Sequence, residues 1–229
     1  MADLPGRPRD NWQRVRITST LHTVLAVAVA AGDCTMLMLS AGVILFFLPH
    51  SVSIVAPHWR DRMLLHMGEG PWKGTHALLI ATGLALLVLG FDGASRVPVV
   101  LYAAPSWLRY VTLLLMLPVF PLLLATYLPG RLERAVRHPT LTAVTCWAAA
   151  HLLADGTLPG VVLFGSFLLW ASIDRLSLRH RAPRAIRRAP ATRFNDLLAV
   201  SLGLALYAAF LCGLHAWLFG VPALDGLAQ

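Results

Sequence analysis

Six long apolar runs, separated by short arginine-bearing loops, constrain this chain more than any other feature. They cover about residues 36–54, 74–91, 107–128, 139–154, 159–173 and 196–219. Each is too long and too uniformly apolar for a half-buried strand, and none alternates as a barrel strand must. Hydrocarbon offers the backbone no hydrogen-bond partner, so such runs span a membrane as helices. The expected fold is all-α, a polytopic transmembrane helical bundle of six core spans. Composition agrees: 57% of the 229 residues are hydrophobic and 13% charged, against roughly 45–50% and about 25% in soluble domains. Too few polar side chains exist to cover a soluble surface. Disorder and collagen are excluded, as is a disulfide scaffold, because Cys34, Cys146 and Cys212 are the only cysteines and lie far apart.

The ends of the chain are less regular. Residues 1–20 carry Arg7, Arg9, Arg14 and Arg16, and an apolar stretch from Leu21 to Ala31 is closed by Gly32 and Asp33. It reads as a signal-like segment, a weak extra N-terminal helix, or an extension ahead of a start at Met36. The expected division is therefore an extension over 1–35, a transmembrane domain over 36–222 and a tail over 223–229. Pro118 and Pro121 remove backbone donors inside the third run and should kink it. Ala154-Asp155-Gly156-Thr157 and Pro159 mark a tight turn between two short antiparallel helices. Gly83, Gly90, Gly165, Ser166 and Gly203 offer close helix contacts.

Arginine placement orients the bundle. Loops 55–73, 129–138 and 174–195 hold most of the 19 basic residues, whereas the opposite loops hold only Arg96 and Arg109. The positive-inside rule assigns the basic loops to the cytoplasm and the protein to an inner (plasma) membrane. The net charge of +8 then reflects topology and the lipid bilayer as partner rather than nucleic acid.

Among nine histidines, His50, His76, His138, His151 and His215 lie within or at the ends of the runs. A charge at mid-membrane costs about 2.5–3.5 kcal/mol, and even neutral imidazole needs partners. Ligation of metal or haem, proton transfer, or a hydrogen bond to a neighbouring helix would each justify these residues. Two axial imidazoles must come from different helices at similar depth. His138 and His151 are about 20 Å apart along one helix. His50 with His151 is the candidate pair, although residue counting leaves their depths unmatched by one to two helical turns. Asp155, four residues after His151, could tune its imidazole or cap the turn. No phosphate loop, GxSxG or HExxH motif occurs.

The ordered blocks Arg137-His138-Pro139, Trp147, His151-Leu152-Leu153-Ala154-Asp155-Gly156, Leu163-Phe164-Gly165-Ser166-Phe167, Trp170 and Asp174-Arg175 closely resemble the NnrU family of membrane proteins. Gly68-Glu69-Gly70-Pro71-Trp72-Lys73-Gly74, Tyr127-Leu128-Pro129-Gly130-Arg131, Asn195-Asp196, Tyr207 and His215 extend the resemblance over about residues 36–222. Asparagine is more usual where this chain has Asp155. The resemblance implies a link to nitrite and nitric oxide reduction. It also implies kinship with the zeta-carotene isomerases, which use haem b to isomerise a carotenoid double bond. Carried across, haem b would be ligated by His50 and His151, with His138 in the shared Arg-His-Pro motif. A lipid-soluble substrate or nitrogen-oxide reductase components would be the partners. A non-catalytic accessory role in nitrogen-oxide reduction is the rival expectation. Methyl transfer, suggested by Arg-His-Pro alone, is weaker because the accompanying residues differ.

Overall fold

The computed structural model describes residues 9–180 and 188–224, with side chains described from residue 32 onward. The chain forms α1 (Arg9–Val55), α2 (Pro57–Met67), α3 (Glu69–Ala94), α4 (Leu108–Met116), α5 (Val119–Ala125), α6 (Arg131–Val136), α7 (Pro139–Ala154), α8 (Leu158–Ser177), α9 (Asn195–Ala209) and α10 (His215–Phe219). Among the described residues the sole extended pairing is an isolated bridge between Val100 and Thr157. The all-helical membrane architecture expected from the apolar runs is therefore present.

Five segments are long and apolar enough to cross a membrane: Gly32–Val55, Glu69–Ala94, Leu108–Ala125, Leu158–Ser177 and Asn195–Phe219. The fourth expected span, α7, has 16 residues, about 24 Å at ~1.5 Å per residue, short of a hydrocarbon core of about 30 Å. Its partner α8 is longer than expected, with 20 residues. Ile44, Leu78, Val88, Leu114 and Leu197 are each more than half exposed. Such a continuous apolar exterior requires lipid rather than water around it.

At the N-terminal side, α1 runs unbroken through Gly32 and Asp33 for 47 residues. One glycine costs a helix interior only about 1 kcal/mol, which a long apolar helix absorbs. The third span breaks between α4 and α5 at Leu117-Pro118, as its prolines require. The last span is also interrupted, by a wide turn over Phe210–Leu214 in which Gly213 adopts φ 133°. That conformation is accessible to glycine and strained for other residues.

α1 and α3 pack along their length because glycines remove side chains from the seam. A methyl group on Gly83 would lie 2.6 Å from the Phe46 nitrogen, one on Gly42 2.6 Å from the Leu87 nitrogen, and one on Gly90 would overlap the Leu39 backbone. Gly203 makes a similar approach to Pro121, whereas Gly165, also expected at a contact, has open space around it. α8 packs on both α1 and α7, and α7 packs in turn on α4 and α5, with α9 against α5. Hydrogen bonds lock this half: the hydroxyls of Thr126 and Thr140 are hydrogen-bonded at 2.7 Å, Thr112 donates to the Ala150 carbonyl at 3.2 Å and Tyr207 to the Leu113 carbonyl at 2.9 Å.

The antiparallel helices give the bundle two unlike ends. One gathers the end of α1, the starts of α3, α7 and α9, and the end of α8. There, Arg131 and Leu132 N–H groups donate to the Asp196 carboxylate, buried Asn195 donates to the Pro129 and Pro190 carbonyls, and Arg188 pairs with Glu133. This is the arginine-rich end. At the other, Leu101 N–H donates to the Gly156 carbonyl and Leu158 N–H to Val99.

The glycine seam yields a stability contrast. Gly90→Val should destabilise the protein by at least about 1–3 kcal/mol, because backbone atoms opposite cannot move aside. Gly165→Ala should be neutral or stabilising by up to about 1 kcal/mol. Thermal unfolding of the two purified variants in detergent checks this. Equal melting temperatures would show that the seam is not tightly packed.

Candidate functional site: a histidine pair and a separate histidine

The structure brings His50 beside His76, not beside His151. His50 lies five residues before the end of α1, and His76 seven residues after the start of α3. The two helices are antiparallel neighbours, so these positions share one depth near the arginine-rich end. The ring centroids of His50 and His76 are 6.3 Å apart, at 52°. Phe46 stacks on His50 at 4.6 Å, the Trp170 ring meets it edge-on at 5.7 Å, and Trp72 lies 5.9 Å from His76. His50 Nδ1 lies 2.7 Å from the Phe46 carbonyl. A carbonyl only accepts, so Nδ1 carries a proton, which in the neutral ring leaves the lone pair on Nε2. A backbone acceptor on the far nitrogen is the usual support of a metal-binding imidazole.

His151 occupies the opposite end, three residues before α7 stops. Its ring stacks on Phe164 at 4.6 Å and lies 5.1 Å from Trp147, and its Nδ1 donates to the Trp147 carbonyl at 2.8 Å. α8 measures the offset. His50 rests on Trp170 and His151 on Phe164, six residues apart or about 9 Å along the axis. Phe167 fills the interval, contacting Phe46 at 5.5 Å and Trp147 at 5.2 Å. His50 and His151 thus rest on different turns of α8, on helices that each pack against it.

His138 sits at the arginine-rich end, where its backbone caps α7 and its carbonyl accepts from Thr142. Its half-buried imidazole has no hydrogen bond or ring contact among the described residues. The preceding Arg137 has φ 61°, a strained value for a residue with a Cβ. The Arg-His-Pro motif thus forms a sharp entry into α7. The other sequence block at this end, Asn195-Asp196, ties α9 to the α5–α6 connection.

His76 was visible in the sequence as an ionisable residue in a span but was not chosen as a partner. The usable signal was antiparallel counting: two residues similarly distant from a shared loop face each other if their helices pack. Among the described residues no group of three or more His, Cys, Asp or Glu side chains could hold a metal ion. A purely protein-built polydentate metal centre is absent from that part of the molecule.

Asp155 at the far end is a turn residue. Its Oδ1 accepts from Thr157 N–H at 3.0 Å, and Gly160 leaves room for its other oxygen. The Tyr102 hydroxyl donates to the Leu152 carbonyl and, at 3.2 Å, to that of Asp155. Burial raises the Tyr102 pKa, and the Asp155 carboxylate raises it further. With Arg109, Thr112 and the tail at Val221-Pro222, these groups line a cleft of about 400 Å³.

With this geometry established, comparison with known sequences is decisive. The family model described as NnrU protein matches residues 38–223. The chain belongs to the NnrU family. No curated protein and no solved structure matches it. Within this NnrU-family chain, the matched region contains the His50–His76 pair, His151 and every helix from α2 to α10.

The tyrosine gives a pH prediction. A raised phenol pKa in the folded state favours the protonated form, so its stabilisation is complete below the unfolded value of about 10 and declines as pH rises past it. Wild-type protein should lose thermal stability above about pH 10 more steeply than Tyr102→Phe. Identical alkaline profiles would remove Tyr102 from that role.

Proposed function

We propose that this protein is a haem b-binding member of the NnrU family and that His50 and His76 would hold the haem. The resemblance supplies haem as a candidate, and the carrying observation is the 6.3 Å separation of the two rings. Metal–imidazole bonds of about 2 Å put two coordinating nitrogens about 4 Å apart and the ring centres roughly 6 Å apart. The His50–His76 spacing fits that requirement. His50 and His151, offset by about 9 Å along α8, do not.

The chain's own residues would hold and tune the group. The Phe46 carbonyl fixes the His50 tautomer, while Phe46 and Trp170 restrict rotation of its ring. Apolar side chains around the pair lower the local dielectric and limit water access. Haem b bound there would supply one-electron iron chemistry or the reactivity for isomerising a polyene double bond. The substrate class this reading favours is lipid-soluble, reached from the bilayer, with a link to nitrite or nitric oxide reduction through the family. We further infer an inner-membrane location, with Arg60, Arg62, Lys73, Arg131, Arg134, Arg137, Arg175, Arg179 and Arg188 on the cytoplasmic side.

Protein purified from haem-replete cells should show a Soret band and a pyridine haemochrome of the b type. His50→Ala and His76→Ala should each abolish or strongly shift that band, and His151→Ala should retain it. Folded but colourless wild-type protein would sink the haem reading and favour an accessory role. Loss in His151→Ala with retention in His76→Ala would sink the pairing alone. Reporter fusions after Gly130 and after Arg188 should both report cytoplasm; a periplasmic signal from either would overturn the orientation.

A further inference from the structure

The short helix α2 is neither a loop nor a core element. None of its residues is buried, and Trp59 and Leu65 are exposed beside the charged Arg60, Asp61 and Arg62. A short, charged helix carrying a tryptophan at the end of a span belongs at the lipid–water interface. Trp59 and Trp72, with ring centroids 6.1 Å apart, join it to the start of α3.

Between α2 and α3 lies a cleft of about 340 Å³. Its walls are mainly apolar, formed by Leu64, Trp72, Ala77 and Ile80, and its charged lining is Arg60, Glu69 and Lys73. The charges are not equivalent. Lys73 pairs with Glu69, and both are 71% exposed. Arg60 has a side chain only 24% exposed and gives one terminal nitrogen to Asp61 at 2.8 Å. Its Nε is buried and has no hydrogen-bond partner. A cationic N–H withdrawn from water without an acceptor is unfavourable, so this donor calls for an anionic oxygen entering the cleft. The apolar walls call for a hydrocarbon chain attached to that oxygen.

We propose that the α2–α3 cleft binds an anionic phospholipid of the surrounding leaflet, its phosphodiester on Arg60 and an acyl chain along Leu64, Ala77 and Ile80. The occupant is a lipid rather than a free ion because most of the wall is apolar. It is anionic rather than neutral because the end of the bundle is arginine-rich while Asp61 and Glu69 are solvated and already paired. His76 closes the deep side of the cleft, so the lipid adjoins the histidine pair, but its binding does not depend on haem.

Full-length protein would be reconstituted in mixed phosphatidylethanolamine–phosphatidylglycerol vesicles, extracted in mild detergent, and assayed for retained lipid by native mass spectrometry. Wild type should retain phosphatidylglycerol selectively. Arg60→Gln should reduce retention about tenfold, the loss of one charge-assisted hydrogen bond. Arg62→Gln, at an exposed residue outside the cleft, should behave as wild type. Ile80→Trp keeps Arg60 and fills the acyl path, so it should also lose the lipid; it separates lipid exclusion from any folding defect of the arginine variant. Equal retention in wild type, Arg60→Gln and Ile80→Trp would overturn the proposal, as would an equal loss in Arg62→Gln. Displacement of the lipid by inorganic phosphate alone would instead identify a free-anion site and overturn the lipid assignment. Haem absorbance on the same samples reads the histidine pair separately.

Discussion

The close backbone approach of α1 and α3 governs the rest of the arrangement. In lipid, helices gain little from burying apolar surface, and association rests on packing and on interhelical hydrogen bonds. Gly42, Gly83 and Gly90 let two backbones touch, so the helices run antiparallel and in register from their shared α2 connection outward. That register brings His50 and His76 to one level. It also leaves α8 to pack against both α1 and α3 and to carry Phe164, Phe167 and Trp170 as a ladder between the two halves.

The second half is held differently. α4, α5, α7 and α9 use hydroxyls as well as packing: Thr112, Thr126, Thr140 and Tyr207 each reach a neighbouring helix. Buried polar contacts of this kind specify alignment where apolar contacts would let helices slide. The short α7, anchored at its entry by the strained Arg137-His138-Pro139 corner, points His151 toward the end opposite His50. The two imidazoles therefore rest on different turns of α8, linked by aromatic rings. The α2–α3 cleft and the histidine pair lie on the same end of the same helix pair, at the arginine-rich end of the bundle.

Much of this was legible from the residues. Hydropathy located every helix that crosses or nearly crosses the bilayer, because lipid leaves the backbone no alternative. Pro118 marked the break in the third span, and Asp155-Gly156 the turn before α8. What failed to show was adjacency. Gly32 and Asp33 are weak stops in a 47-residue helix. No motif in the sequence marks His76 as the neighbour of His50. Which helices neighbour one another depends on long-range packing, and hydropathy is blind to it. Gly83 and Gly90 pointed to the right seam; Gly165 pointed to none, since a glycine facing open space has the same letter as one touching a backbone.

The most direct measurement of that seam is a pair of cross-links made in protein whose native cysteines, Cys34, Cys146 and Cys212, have been replaced by alanine. Cysteines at positions 50 and 76 should be joined rapidly within one chain by a short bifunctional thiol reagent, and cysteines at positions 50 and 151 should not. If the second pair links as readily as the first, the two histidines share a level after all, and the division of the bundle into two separate histidine ends is wrong.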